Sequence, residues 1–291
     1  MDHEILVNIM KRSSLLQWGC RTGAIKTGAI KTCKSWLMAA LDVFFPSPNI
    51  FDLRPHAHAL ATKSHRKIVI LYMTLAIDFR PPTSGTQLLF PKTRLPRKAY
   101  RFVAKRLPSL TRINLPAGAK IRVENLRAMV PYWSNLEHVR FPASVADSLG
   151  THCKKIHTLY LFGAIGNYIA STIAENFPLL EHLRIPYCIL SNDALSIMLD
   201  GHKSLITLDT RHCLCVDEVL IPRIFRNYQH CNPKTAVHRR FFKPRGKEGN
   251  HRRYLKANEW NEDEILRKAA GINKFLQCGR KNDCSECSDL Y

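Results

Sequence analysis

Five times between residues 109 and 211 the chain sets its apolar residues in the order apolar-x-x-apolar-x-apolar. The copies are "SLTRINLP" at 109–116, "NLEHVRFP" at 135–142, "KIHTLYLF" at 155–162, "LLEHLRIP" at 179–186 and "SLITLDTR" at 204–211. Their first apolar positions are Leu110, Leu136, Ile156, Leu180 and Leu205, offset by 26, 20, 24 and 25 residues. A weaker copy, "TQLLFP" at 86–91, precedes them at the right distance. Alternate side chains of a strand point to opposite faces. The pairs Ile113/Leu115, Val139/Phe141, Leu159/Leu161 and Leu183/Ile185 therefore share one inward face. Short strands are predicted near 112–116, 138–142, 158–162, 182–186 and 207–211. The segments 97–106, 123–130, 144–152, 167–176 and 192–200 lie between them and carry apolar residues at helical spacing. The last opens on Ser191 and Asn192, good helix-capping residues, and stops before Gly201.

This pattern, at a period of roughly 20–29 residues, is that of leucine-rich repeats. One rung cannot bury its apolar face alone, but stacked rungs share a continuous core. Neighbouring parallel strands need a crossover, and the helical segments supply it. The fold class expected is α/β: a leucine-rich-repeat solenoid, parallel strands with outer helices, preceded by a short helical segment. Thr210 stands where an apolar residue is expected, so the series is predicted to fade there.

The same alternation sends other residues to the opposite, concave face. One column reads Arg112, His138, Thr158, His182, Thr207, and the central one reads Asn114, Arg140, Tyr160, Arg184, Asp209. A third reads Pro116, Pro142, Phe162, Pro186, Arg211. Arginine and aromatic side chains are enriched in protein interfaces. Candidate partner-binding residues are thus Arg112, His138, Arg140, Tyr160, Phe162, His182, Arg184 and Arg211.

Charge divides the chain. Residues 107–222 carry ten basic and ten acidic residues, whereas 54–106 carry twelve against one and 223–256 carry eleven against one. A neutral repeat module with basic flanks follows. The domains expected are a helical segment at 1–55, a basic and apolar connector at 56–84, repeats at 85–222, a basic linker at 223–256 and a cysteine-containing tail at 257–291. The longest apolar run, "IVILYMTLAI" at 68–77, is about half of what a membrane-spanning helix needs and reads as a buried strand or helix. The opening residues hold no apolar core of signal-peptide length. An intracellular protein with reduced thiols is expected, and no membrane contact.

Little in the chain reads as catalytic chemistry. "GAIGNYIA" at 163–170 matches neither a dinucleotide-binding nor a phosphate-loop pattern. No nucleophile–base set or carboxylate pair stands out, so no enzyme activity and no cofactor are expected. Cys278, Cys284 and Cys287 would offer three thiolates to zinc, but no fourth ligand is evident, and free thiols are expected instead of a metal. The stretch "HRRFFKPRGKEGNHRRYLK" at 238–256 fits a solvated linker, an import signal or a nucleic-acid contact, the last the least favoured.

The N-terminal elements extend the picture. Ile5 and Leu6 stand together in an early amphipathic segment, followed by Cys33, Lys34 and Trp36 in "CKSW", and then by "FDL" at 51–53. With the repeats behind it, this order resembles plant F-box proteins with leucine-rich repeats, and "INKFLQCGRKNDCSEC" at 272–287 is similar to a tail in the same subfamily. The similarity covers about 1–55, 85–220 and 265–287. A tandem "GAIKTGAIKT" at 23–32 sits between the two F-box elements. The resemblance implies a substrate receptor of an SCF-type cullin–RING ubiquitin ligase, in the nucleus, the cytoplasm or both. It implies that Ile5, Leu6, Ile9 and Trp36 dock a Skp-type adaptor, which joins the cullin scaffold, while the repeats hold an unknown protein substrate. The alternatives left open are a repeat scaffold that has lost the adaptor and a nucleic-acid binder acting through its basic arms.

Overall fold

A computed structural model of the chain describes residues 3–12, 34–47, 49–61, 63–79, 86–92, 97–116, 119, 121–221 and 260–278. The "GAIKT" duplication, Cys33, the basic stretch at 223–256, Cys284 and Cys287 lie outside these residues.

Eight short strands form one all-parallel sheet in the order β1 (Ile50–Asp52), β2 (Gln87–Leu89), β3 (Arg112–Asn114), β4 (His138–Pro142), β5 (Thr158–Phe162), β7 (His182–Arg184), β9 (Thr207–Asp209) and β11 (Lys274–Leu276). The five predicted strands are all present, and "TQLLFP" contributes β2. The register places Phe51, Leu88, Ile113, Val139, Leu159, Leu183, Leu208 and Phe275 on one continuous inward line. Leu53, Phe90, Leu115, Phe141, Leu161 and Ile185, two residues on, are buried beside it. This is the shared core that makes the rungs depend on one another.

The series does not fade at Thr210. That residue is buried, and its hydroxyl donates to the Leu276 carbonyl at 3.2 Å, so the polar atom is satisfied. The chain returns as β11 beside β9. The helix before it, α10 (Glu262–Ala269), packs on α9 (Asn192–Gly201) through Lys268, which reaches Asp200 at 2.5 Å and also Ser196.

Helices fill the crossovers. α1 (His3–Arg12) and α2 (Lys34–Phe44) precede β1. α3 (Ala57–Ala61) and α4 (Lys63–Phe79) join β1 to β2, so the apolar run at 68–77 is helical. Val69, Met73 and Ala76 bury one stripe of α4 at helical spacing. Among the described residues no helix is long and apolar enough to cross a membrane. α5 (Arg97–Arg106), α6 (Val123–Arg127), α7 (Ala146–His152) and α8 (Asn167–Asn176) fall on predicted segments, with a 3-10 turn at Val130–Tyr132 ending the second and another at Ala143–Val145 opening the third. Ser191 caps α9 as expected, its Oγ accepting from the Ala194 amide at 3.1 Å.

A second, three-stranded sheet was not foreseen. β6 (Ala164–Ile165), β8 (Ile189–Leu190) and β10 (Leu214–Cys215) pair in parallel where the chain leaves each main strand for its helix. The turn into it uses the left-handed region at Gly163 (φ 110°), Tyr187 (φ 60°) and His212 (φ 60°), at the same place in three successive rungs.

The outer helices approach closely. A Cβ added to Gly201 would lie 2.3 Å from the Ala174 Cβ and 3.0 Å from its Cα. Alanine has no rotamer to yield, so α8 and α9 must separate. Overpacking costs about 1–3 kcal/mol, which outweighs the roughly 1 kcal/mol of helix propensity gained by Gly201→Ala. A lower melting temperature is expected, recovered in part by adding Ala174→Gly. Unchanged or raised stability in the single variant would refute the contact.

Candidate functional site

The concave face is built from the residues that alternate with the core line. The register aligns Gln87, Arg112, His138, Thr158, His182, Thr207 and Lys274 in one row. Leu89, Asn114, Arg140, Tyr160, Arg184, Asp209 and Leu276 form the next. The first two predicted columns are therefore real rows of the sheet. In the third, only Pro142 and Phe162 are strand partners.

Tyr160 is the centre of the face. The Arg140 guanidinium lies 4.4 Å from its ring centroid and that of Arg184 lies 5.4 Å from it. Burial raises the Tyr160 phenol pKa, so the ring stays neutral. Arg184 reaches Asp209 at 3.5 Å, and Arg211 grips Asp209 through Nε at 2.9 Å and Nη2 at 3.0 Å. The same i, i+2 grip recurs at the other end of the sheet, where Arg54 holds Asp52 at 2.9 and 2.7 Å. Burial would raise the Asp209 pKa, but the hydrogen bonds and charge of Arg211, with the charge of Arg184, leave it below the ordinary carboxylate value. Burial, and then the charge of Arg112, lowers the His138 pKa, so that ring is neutral at pH 7. His182 and His157 flank Glu181, at 3.9 and 3.6 Å.

Two expectations are corrected here. Phe162 is not a surface residue: it is 9% exposed and packs into the core, because the left-handed turn at Gly163 ends the regular alternation of the strand beside it. Asp209, placed on an outward column, is 1% exposed, since its own arginine partners cover it. Of the other candidates, Arg112 and Arg184 are exposed, and Arg140, Tyr160, His138 and His182 are half-buried. Arg211 is exposed but committed to Asp209.

At the N-terminus α1 packs against α2, with His3 Nε2 2.9 Å from Asp42. Ile5 (52% exposed) and Ile9 (39%) lie one turn apart on the open side, and Trp36 is half-buried on α2. Leu6 is corrected: at 1% exposure it is buried and offers nothing to an adaptor. Leu6 points about 100° from Ile5, and α1 rests on α2 so that this edge of the apolar stripe is the covered one.

The cysteines act as structure. Cys153, Cys188 and Cys213 direct their Sγ to the carbonyls of Trp133, Leu161 and Ile185, each in the preceding rung, at 3.3, 3.5 and 2.9 Å. Burial pushes the Cys153 thiol up to about 12 and raises those of Cys188 and Cys213, so all three remain protonated donors. Cys188 and Cys213 hold the position three residues after the last apolar position of the repeat, filled by Ile185 and by Thr210, where the consensus carries Asn or Cys. That signal was available and would have located the second sheet. Cys278 Sγ accepts from the His212 amide at 3.2 Å and lies 3.4 Å from its Nδ1. The His212 ring stacks on Tyr187 at 4.4 Å. Among the described residues no group of three His, Cys, Asp or Glu could hold a metal ion.

No family model matches the chain. F-box/LRR-repeat protein At3g48880 of Arabidopsis thaliana is 21% identical over 301 residues, covering 99% of this chain and 85% of its own length. Among solved structures, one titled "Crystal structure of TLR13-ssRNA13 complex" aligns at 18% identity with a TM-score of 0.35. That match covers 45% of this chain but only 19% of the other, and a likeness so small carries no argument.

Proposed function

We propose that this chain, which belongs with the plant F-box/leucine-rich-repeat proteins, is the substrate-recognition subunit of an SCF-type cullin–RING ubiquitin ligase. At family level these proteins are non-catalytic adaptors that recognise substrates. The observation that carries the reading is the union of two surfaces in one chain. A two-helix unit shows Ile5 and Ile9 to solvent, and behind it a parallel sheet presents arginine, histidine and tyrosine on its concave side.

The first surface suits a Skp-type adaptor, and through it the cullin. Ile5, Ile9 and Trp36 are the apolar groups for that contact, each able to contribute about 1.5–3 kcal/mol when fully buried. The second surface takes the substrate protein on Arg112, His138, Arg140, Tyr160, His182 and Arg184. The chain performs no bond chemistry of its own. Its contribution is proximity, holding a substrate lysine where a charged ubiquitin-conjugating enzyme can reach it, so that a bimolecular transfer becomes local. It would act in the nucleus, the cytoplasm or both.

Pull-down with a purified Skp-type adaptor tests this. The intact chain should bind at micromolar adaptor. Ile5→Asp/Ile9→Asp should weaken binding at least about tenfold with the melting temperature kept, since two exposed contacts are lost and no core is touched. Leu6→Asp is the uninformative variant, because it disrupts the α1–α2 packing itself. No binding by the intact chain would remove the ligase reading and leave a repeat scaffold.

A further inference from the structure

We infer that the substrate segment held by the concave face is acidic and extended, its carboxylates taken by Arg112, Arg140 and Arg184 around Tyr160. The inference rests on the reading of this face as the substrate site, and it adds the chemical class of what is bound.

The balance of charge on the face is the first argument. The two rows carry two carboxylates, Asp52 and Asp209, and each is gripped in bidentate fashion by the arginine two residues later. Both carboxylates are therefore largely spent. Arg184 makes one longer contact to Asp209, at 3.5 Å. Arg112 and Arg140 have no carboxylate partner among the described residues. Three guanidiniums within four consecutive strands are thus left with a part share in one carboxylate.

Preorganisation is the second argument. Arg140 and Arg184 sit over the Tyr160 ring at 4.4 and 5.4 Å. Contact with one ring holds the two guanidiniums in place, and a held guanidinium suits capture of a carboxylate. Side chains already held lose less entropy on binding. Arg140 Nε is buried with no hydrogen-bond partner among the described residues, so this half-buried guanidinium has less water to give up than a fully exposed one when an anion arrives.

Spacing is the third. Arg140 and Arg184 are two strands apart, about 10 Å at ~4.8 Å per strand. An extended peptide covers that span in about three residues. A segment lying across the strands would set acidic residues about three positions apart against the two arginines, and one further along against Arg112.

The face favours a peptide over a nucleic acid. Glu137 and Glu181 stand immediately before β4 and β7, at one edge of the face, with Glu181 between His157 and His182. A phosphate at every nucleotide would meet these carboxylates as well as the cations. A peptide's sequence can set acidic residues at the spacing of the arginines and uncharged ones beside the glutamates.

The test titrates a fluorescein-labelled hexaglutamate peptide with the full-length protein, followed by anisotropy, with hexaglutamine as the neutral control. Arg140→Gln/Arg184→Gln should weaken hexaglutamate binding about tenfold or more, since the charges that meet it are removed. Arg112→Gln, a change to an exposed side chain that the fold does not need, should weaken it severalfold and carries the test if the double variant melts early. Arg239→Gln/Arg240→Gln, in the basic stretch, should change little. Tyr160→Leu keeps every charge and should still weaken binding, because the arginines lose their platform. Equal weakening by the two double variants, or none by Arg140→Gln/Arg184→Gln and Arg112→Gln, would overturn the inference in favour of general attraction to a chain of net charge +21. Binding of an oligothymidylate that falls in the same variants as far as hexaglutamate does would overturn it in favour of nucleic acid. Adaptor binding depends on Ile5 and Ile9, not on these arginines. Its failure would remove the ligase reading alone, and failure of hexaglutamate binding would remove this inference alone.

Discussion

Leu183→Asp is expected to leave no folded repeat array at room temperature, while Arg184→Ala, one residue along, should unfold almost as the unaltered protein does. Leu183 is 0% exposed and sits on the core line between Leu159 and Leu208 of the flanking strands. Removing a buried leucine side chain costs about 2–5 kcal/mol. Placing an ionised carboxylate there with no partner adds several more. The sum reaches the whole stability of a typical domain, about 5–15 kcal/mol. Each rung covers its neighbours' apolar faces, so the loss spreads along the array. Arg184 points the other way. Its contacts are a cation–π approach to Tyr160 at 5.4 Å and a 3.5 Å ion pair to Asp209, and its own side chain is 47% exposed. Contacts of that kind are worth about 1 kcal/mol or less. Urea unfolding of both variants reads the difference directly. Equal losses would show that the inside and outside of the sheet have been exchanged.

That alternation is why so much of the fold is legible in the chain. Val139, Leu159 and Leu183 repeat at a common position, and a register slip of one residue would expose all of them, so the strand rows follow from the sequence alone. The helices are legible for the same reason, since each must lie in the space between two strands. The features that escape depend on partners far away in sequence. Asp209 reads as a surface residue until the register brings Arg184, 25 positions earlier, beside it. Phe162 reads as outward because period-2 counting ignores the turn at Gly163. Leu6 and Ile5 are both apolar and adjacent, and only the packing of α1 on α2 separates core from surface. β11 escapes because residues 222–259 interrupt the period, and a fixed spacing finds nothing after Thr210. The arginine columns were legible as a surface. The Tyr160 platform was not, because it requires Arg140 and Arg184 to be on the two strands flanking β5.

Asp209→Ala should cost about 3 kcal/mol at pH 7, the low side of what removing one partner of a buried ion pair costs. The low side applies because the arginines left behind can reach water: their side chains are 47% and 45% exposed, while Asp209 is at 1%. Its carboxylate also accepts from the Arg211 amide at 3.3 Å, so the loss includes the turn that starts the chain toward β10. Asp209→Asn keeps the shape and part of the hydrogen bonding, and should cost less. The sign of the pH dependence follows from the carboxyl's position. Burial works to raise its pKa, but the Arg211 hydrogen bonds and the two arginine charges reverse this and hold it below the ordinary 3.8. A carboxyl lowered in the folded state stabilises fully above its unfolded value, and that contribution drains away as pH falls through the folded one. The stability gap between the unaltered protein and Asp209→Asn should therefore be constant from pH 7 to about pH 5, then narrow below about pH 4 as the carboxyl takes up its proton. Thermal melts of both proteins across that range test it. A gap that stays constant down to pH 2.5, or that widens in acid, would mean that Asp209 contributes through packing alone and that the Arg184–Asp209–Arg211 cluster is electrostatically idle.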